Sequence, residues 1–390
     1  MKPNRPALLI RPKFVALDSS HLGAIARDKA SADAGRQHRA QAFEAEFSEA
    51  DAVMVLCWHH LQELFSHQNE DVAAQRLAYI QSLSLVAVIA SAGEEGIIGT
   101  IVDLQSLEVA AAFRNPTADA VAVRDEASKK MIRLTSGADL VRPFLESWSA
   151  LRQSFAESEQ RSREVVAISK SDFTGNSDAK ILDILKGKLR APHDIQRQFQ
   201  SMHGRLKANI RERGDKRISD AERSSRTFIE EVIQVGMGVI QPDNPGLRIL
   251  QACGLDLSDI GPDTTVADVG DIAAYRKKLE LINKNLGLPW PELIARVKEE
   301  RLPSGIIYNA IRRHHPDTRE WDGSELADRE LACLAAYVDV IYVDKRTHEA
   351  FRQARQKLPT LTSLIGFVEK TGQYSSIPDE IAARFSTNAR

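Results

Sequence analysis

The chain has little cysteine: three residues in 390, Cys57, Cys253 and Cys333, far apart and without CxxC spacing. That excludes a disulfide framework or a zinc knuckle and points to a reducing compartment. It lacks GxGxxG, GxxxxGK[ST] and GxSxG, so nucleotide-dependent and serine-hydrolase readings have no motif behind them. Long apolar runs are absent too. The run at 83–92 is too short to span a bilayer. The N-terminal stretch MKPNRPALLIRPKF has too short an apolar core for a signal peptide. These absences predict a soluble, cytoplasmic protein with no membrane partner. Charge of one sign is also missing: 52 Lys and Arg stand against 54 Asp and Glu, a net charge of −2. Nucleic-acid binding would then need a local basic patch.

What is present begins with 43% hydrophobic residues, enough for a sizeable core, over a length that suggests two or three domains. Phe14-Val15-Ala16-Leu17 is a continuous apolar run that stops at Asp18-Ser19-Ser20. Without alternation, it reads as a strand buried on both faces of a parallel sheet. Val53-Met54-Val55-Leu56 and Leu85-Val86-Ala87-Val88-Ile89 repeat the pattern. Helical stretches at 20–50, 58–65 and 72–83 separate them, and this alternation predicts a parallel sheet. Residues 106–240 carry almost only helical pattern. The Pro- and Gly-dense stretch 241–265 reads as a loop-rich join, and helices resume over 272–300.

Near the end, Ser324 opens a helix with the apolar stripe Ala327, Leu331, Leu334, Ala335 and Val338. The strand Val340-Ile341-Tyr342-Val343 follows and stops at Asp344, before a helix through Phe351. A last strand is expected within 361–368. The expected architecture is an α/β domain in two pieces, 1–105 and 301–390, interrupted by a mainly α-helical insertion at 106–300. The alternative is two α/β fragments flanking an independent helical domain.

In an open parallel sheet, sites form at the carboxyl ends of the strands. Asp18 and Asp344 each follow a predicted strand, so in one sheet they project from one edge. Glu63, on the helix after the second strand, can reach that edge. So can Asp328, in the first turns of the helix before the strand at 340–343. Converging carboxylates stay ionised together only around a cation. Hard oxygen donors at this density suit Mg²⁺ or Mn²⁺. Two such ions about 4 Å apart can clamp both oxygens of an in-line displacement. Each acid also has a plainer reading: Asp18 as a helix cap, Glu63 as a surface residue, Asp328 as a dipole-compensating acid, Asp344 as an ion-pair partner of Lys345 or Arg346. Glu325, one turn before Asp328, is an alternative ligand. Asp339 begins the strand, faces the opposite edge and reads as structural.

The order of the four acids resembles that of the PIN-domain nucleases. The matching stretches read VALDSSHLGAIARD, VLCWHHLQELFSH and SELADRELACLAAYVDVIYVDKRTHEAF. The resemblance covers the two flanking pieces only. It implies a PIN-like fold and a metal-dependent endonuclease hydrolysing phosphodiester bonds, RNA ahead of DNA, with a bacterial toxin or defence role. It implies Asp18, Glu63, Asp328 and Asp344 as catalytic ligands of Mg²⁺ or Mn²⁺. The chain departs from the family in the insertion between its second and third acids. It also has Tyr342 where the family often has Ser or Thr.

Residues 186–226 hold twelve Lys and Arg against five Asp and Glu, a local +7. Arg205, Lys207, Arg211, Arg213, Lys216 and Arg217 are its candidate nucleic-acid contacts; a solvated helix face with interspersed ion pairs is the alternative. The insertion is equally a candidate for binding a regulatory protein or for self-association, around an inactive PIN-like scaffold. His59-His60 and His314-His315 are adjacent pairs, which point about 100° apart on a helix and do not chelate by themselves. His60, one turn before Glu63, is a candidate supporting group. Cys57 reads as a buried structural thiol.

Overall fold

The computed structural model describes residues 11–93, 96–172, 174–183, 192–237, 250–251, 254–255, 259–314 and 320–386. Cys253, His315 and most of the expected join at 241–265 lie outside them. The chain divides into two compact units. The first comprises 1–156, 291–316 and 327–390; the second comprises 157–290 and 317–326. Among the described residues no helix is long and apolar enough to cross a membrane.

The first unit is built on six strands: β1 (Lys13–Leu17), β2 (Ala52–Leu56), β3 (Val86–Ile89), β4 (Ile132–Thr135), β5 (Val340–Tyr342) and β6 (Phe367–Glu369). They lie in the order β4-β3-β2-β1-β5-β6, all parallel except β4, which runs antiparallel to β3. Strands from both ends of the chain therefore share one sheet, with Leu17 opposite Tyr342.

Side chains alternate across each strand. Val15, Leu17, Met54 and Leu56 enter one core, with Leu22, Phe43, Leu61 and Phe65 from the helices of that face. Ala16, Val53, Val55 and Ile341 enter the other, with Leu104, Met131, Ile307 and Phe351. Both faces are covered, which is why the central strands read as unbroken apolar runs. β2 is buried at every position.

The right-handed crossover rule fixes where the helices go. From β1 the chain moves to β2 with its helices on the Leu17 face. From β5 it moves the opposite way to β6, with its helices on the Ala16 face. The helices Ser19–Lys29 and Lys345–Lys357 thus leave the sheet on opposite faces. The carboxyl ends of β1 and β5 stand at the topological switch point, where open α/β sheets form their crevice.

Two expectations move. The helical insertion does not begin at 106. The helices Ile101–Arg114 and Ala120–Met131, strand β4 and the helix Gly137–Leu145 all belong to the first unit, because Leu104, Val109, Ala127 and Met131 are buried. The strand expected within 361–368 is the helix Pro359–Leu364 followed by β6, with Pro359 at the helix start, where its missing N–H costs nothing.

The second unit is helical. The helices Pro192–Arg213 and Ala221–Met237 pack against each other across a short connection. A small core of Val166, Ala167, Leu206, Ile210, Ile229 and Trp321 holds it together.

Candidate functional site

Asp18 and Asp344 follow β1 and β5 at the switch point. The Asp18 N–H donates to the Tyr342 carbonyl at 3.0 Å. Neighbouring strands run about 4.8 Å apart and rise about 3.3 Å per residue, so the two Cα atoms stand roughly 6 Å apart. Both carboxylates also cap helices. Asp18 Oδ1 accepts from the Ser20 N–H at 2.6 Å. Asp344 Oδ1 accepts from the Thr347 N–H at 2.7 Å and its Oδ2 from the Arg346 N–H at 3.1 Å. The capping and site readings coexist, because each carboxylate oxygen has a second lone pair to offer. Capping also fixes the direction in which each group points. The Arg346 guanidinium lies 3.7 Å from Asp344, so the expected ion pair is present as well.

Glu63 sits on the helix Trp58–Phe65, whose Leu61, Leu64 and Phe65 are buried on the sheet. Asp328 sits on the helix Ser324–Ala332, one turn after Glu325. The structure separates those two acids. Glu325 is buried against the Lys170 ammonium within the second unit, so the alternative ligand is committed elsewhere. Asp328 faces the other three acids. Burial, then the charges of Glu63, Asp344 and Asp18, push its carboxyl up to about 8, against the pull of Arg346. Burial and the Asp18 charge likewise raise Glu63, with Ser19 and His60 opposing. All four acids named from the sequence therefore share one electrostatic cluster. Asp18, Asp328 and Asp344 line one cavity of about 20 Å³ with His60, room for a single water- or ion-sized occupant.

The donor chemistry fits a hard divalent cation: four carboxylates, with Arg346 as a facing positive charge. The spacing is open, however. Among the described residues no three His, Cys, Asp or Glu groups already stand as a shell around one ion.

Asp339 is structural, as expected: its Oδ2 accepts from the Phe14 N–H at 2.7 Å at the opposite edge of the sheet. Cys57 is fully buried. Its Sγ lies 3.4 Å from His60 Nδ1 and 4.0 Å from His59 Nδ1; burial opposes its ionisation, but the two histidines hold its pKa down at about 5. Sequence reasoning missed Glu330, which meets His59 across the site's flank at 2.7 Å; its position two residues after Asp328 was the available signal.

Five of the six candidate nucleic-acid contacts have partners inside their own unit. Arg205 donates to the Thr174 carbonyl at 2.6 Å. Lys207 pairs with Glu222 at 2.9 Å and Lys216 with Glu320 at 3.2 Å. Arg213 lies 4.7 Å over the Trp321 ring, and Arg217 joins Asp215 and Asp322. Arg211 is exposed.

No protein-family model matches the chain, and no curated protein or solved structure matches it either. The class defined by fold and site is an open, mostly parallel α/β protein with a carboxylate cluster at its switch point.

Proposed function

We propose that the chain is a PIN-like, metal-dependent endonuclease that hydrolyses phosphodiester bonds in RNA in preference to DNA. One observation carries this reading: Asp18, Asp328 and Asp344, from three separate elements, line one small cavity at the switch point, and Glu63 on a fourth interacts electrostatically with Asp18 and Asp328. Asp18, Glu63, Asp328 and Asp344 would hold one or two Mg²⁺ or Mn²⁺ ions. Such an ion, when bound, polarises a phosphoryl oxygen and lowers the pKa of water. The chain's own residues do the rest. Asp18 and Asp344 are oriented by the backbone N–H groups they cap. Asp328, which burial and crowding keep protonated to about pH 8, would have to shed that proton to serve as a ligand. Arg346 stands beside Asp344 to meet a phosphate. Asp18→Asn or Asp344→Asn should lower cleavage of labelled single-stranded RNA more than about 100-fold, beyond what outer-shell changes usually cost, with circular dichroism unchanged. Wild-type rates in both variants would sink the reading.

A second reading is an inactive scaffold whose helical unit binds a protein partner or a second copy. It is favoured by the open spacing of the carboxylates and by the internal pairing of the basic segment. A wild-type chain whose melting temperature does not respond to Mn²⁺ would select it.

A further inference from the structure

The helix that carries Glu63 opens with two adjacent histidines, both turned inward. His60 is 1% exposed. Its Nδ1 lies 3.1 Å from the Cys57 N–H nitrogen and its Nε2 lies 3.1 Å from the Leu17 carbonyl oxygen. A backbone N–H can only donate and a carbonyl can only accept, so Nδ1 is bare and Nε2 carries the proton. Both His60 nitrogens are thus committed to backbone groups. Leu17 directly precedes Asp18, so this bond ties the end of β1 to the Glu63 helix.

His59 projects about 100° away around the same helix. Its Nε2 meets Glu330 Oε2 at 2.7 Å. Glu330 lies two residues after Asp328, so this second bond ties the Glu63 helix to the Asp328 helix. Both rings also lie against Cys57 Sγ, His60 Nδ1 at 3.4 Å and His59 Nδ1 at 4.0 Å, but their Nε2 atoms diverge. Here that divergence joins one acid-bearing element to two others.

The need for such ties follows from the charges. Leu61, Leu64 and Phe65 hold the short helix on the sheet, but apolar contact is non-directional. Charge on Glu63 and Asp18 repels and acts to shift the helix, and the crowded Asp328 adds to this once its proton leaves. Two directional bonds oppose that motion.

We propose that His59 and His60 are positioning residues, a two-way brace that sets the distances from Glu63 to Asp328 and to Asp18. Its functional meaning rests on the acidic-site reading above; the brace itself does not need a metal. In metal-free crystals, His60→Ala should widen the Glu63–Asp18 carboxylate separation, and His59→Ala the Glu63–Asp328 separation, by about 1 Å or more, beyond the roughly 0.5 Å tolerance of a working site. His60→Gln and His59→Gln each keep a side-chain donor and should restore the wild-type separations. In calorimetric titration with Mn²⁺, the Ala variants should bind about 10- to 100-fold more weakly and the Gln variants nearly as wild type. Glu330→Ala should lose as much affinity as His59→Ala, and the double variant no more than either; this arm stands if His60→Ala does not fold. Unmoved carboxylates in the Ala variants overturn the brace. A wild-type chain that takes up no Mn²⁺ overturns the site reading instead, and the metal-free separations still decide the brace.

Discussion

Asp328→Asn should make the metal-free chain more stable near neutral pH, although it removes a proposed site residue. Burial first, then the charges of Glu63, Asp344 and Asp18, lifts the Asp328 carboxyl from 3.8 to about 8. A folded-state pKa raised above the unfolded one means the folded chain holds a proton that the unfolded chain releases. Stability is then full below about pH 4 and falls as pH rises toward 8. At about 1.4 kcal/mol per factor of ten in proton affinity, the loss would reach about 6 kcal/mol at most. Relaxation and water at the cleft mouth screen the charges, which brings a realistic figure to about 3 kcal/mol. Asparagine is isosteric and cannot ionise, so the variant escapes the loss. Urea unfolding in EDTA from pH 5 to 9 should show the wild-type midpoint falling with pH and the variant's midpoint nearly flat. Near pH 8 the variant should be the more stable by about 3 kcal/mol. Saturating Mn²⁺ should reverse the ranking, because ligand binding stabilises the wild type by mass action. A variant less stable than wild type at pH 8 without metal, or one with the same pH slope, would refute the burial and crowding of Asp328.

Two further outcomes concern the scaffold. In the helical unit, Asp215 accepts from Arg217 and from the Gly323 N–H. Burial opposes its ionisation, but these bonds dominate and hold its pKa at about 2. A depressed carboxylate stabilises above the unfolded pKa near 4 and loses that contribution as pH falls through 2. Asp215→Asn should cost about 1–2 kcal/mol at pH 7, read by urea unfolding, and nothing at pH 2; an equal cost at both pH values would contradict this. In the α/β unit, buried Glu108 accepts from the Ser304 N–H and hydroxyl and from the Tyr337 hydroxyl. Glu108→Ala strands all three donors and should cost about 3–5 kcal/mol, with a melting temperature within 2 °C of wild type, roughly 0.5 kcal/mol, counting against it.

The central strands were legible because a sheet covered on both faces leaves unbroken apolar runs. β4 was not. Its four residues, Ile132-Arg133-Leu134-Thr135, are half-buried at an edge and follow a charged helix without a break. The boundary at 106 failed for a related reason: the sequence shows that 101–131 is helical but not which neighbour its apolar stripe packs on. The order of the acids was legible, since Asp18 and Asp344 each end an apolar run. The choice between Glu325 and Asp328 was not, because residues three apart share a helix face; Lys170 decides it in space. Nor does any local pattern encode the pairing of Leu17 with Tyr342, the long-range register on which the cluster depends.

The most direct test of the central claim is manganese anomalous diffraction from crystals grown at saturating Mn²⁺. The account predicts one or two anomalous peaks at about 2.1–2.2 Å from carboxylate oxygens of Asp18, Glu63, Asp328 and Asp344, absent in Asp344→Asn. No peak in that cleft would contradict it.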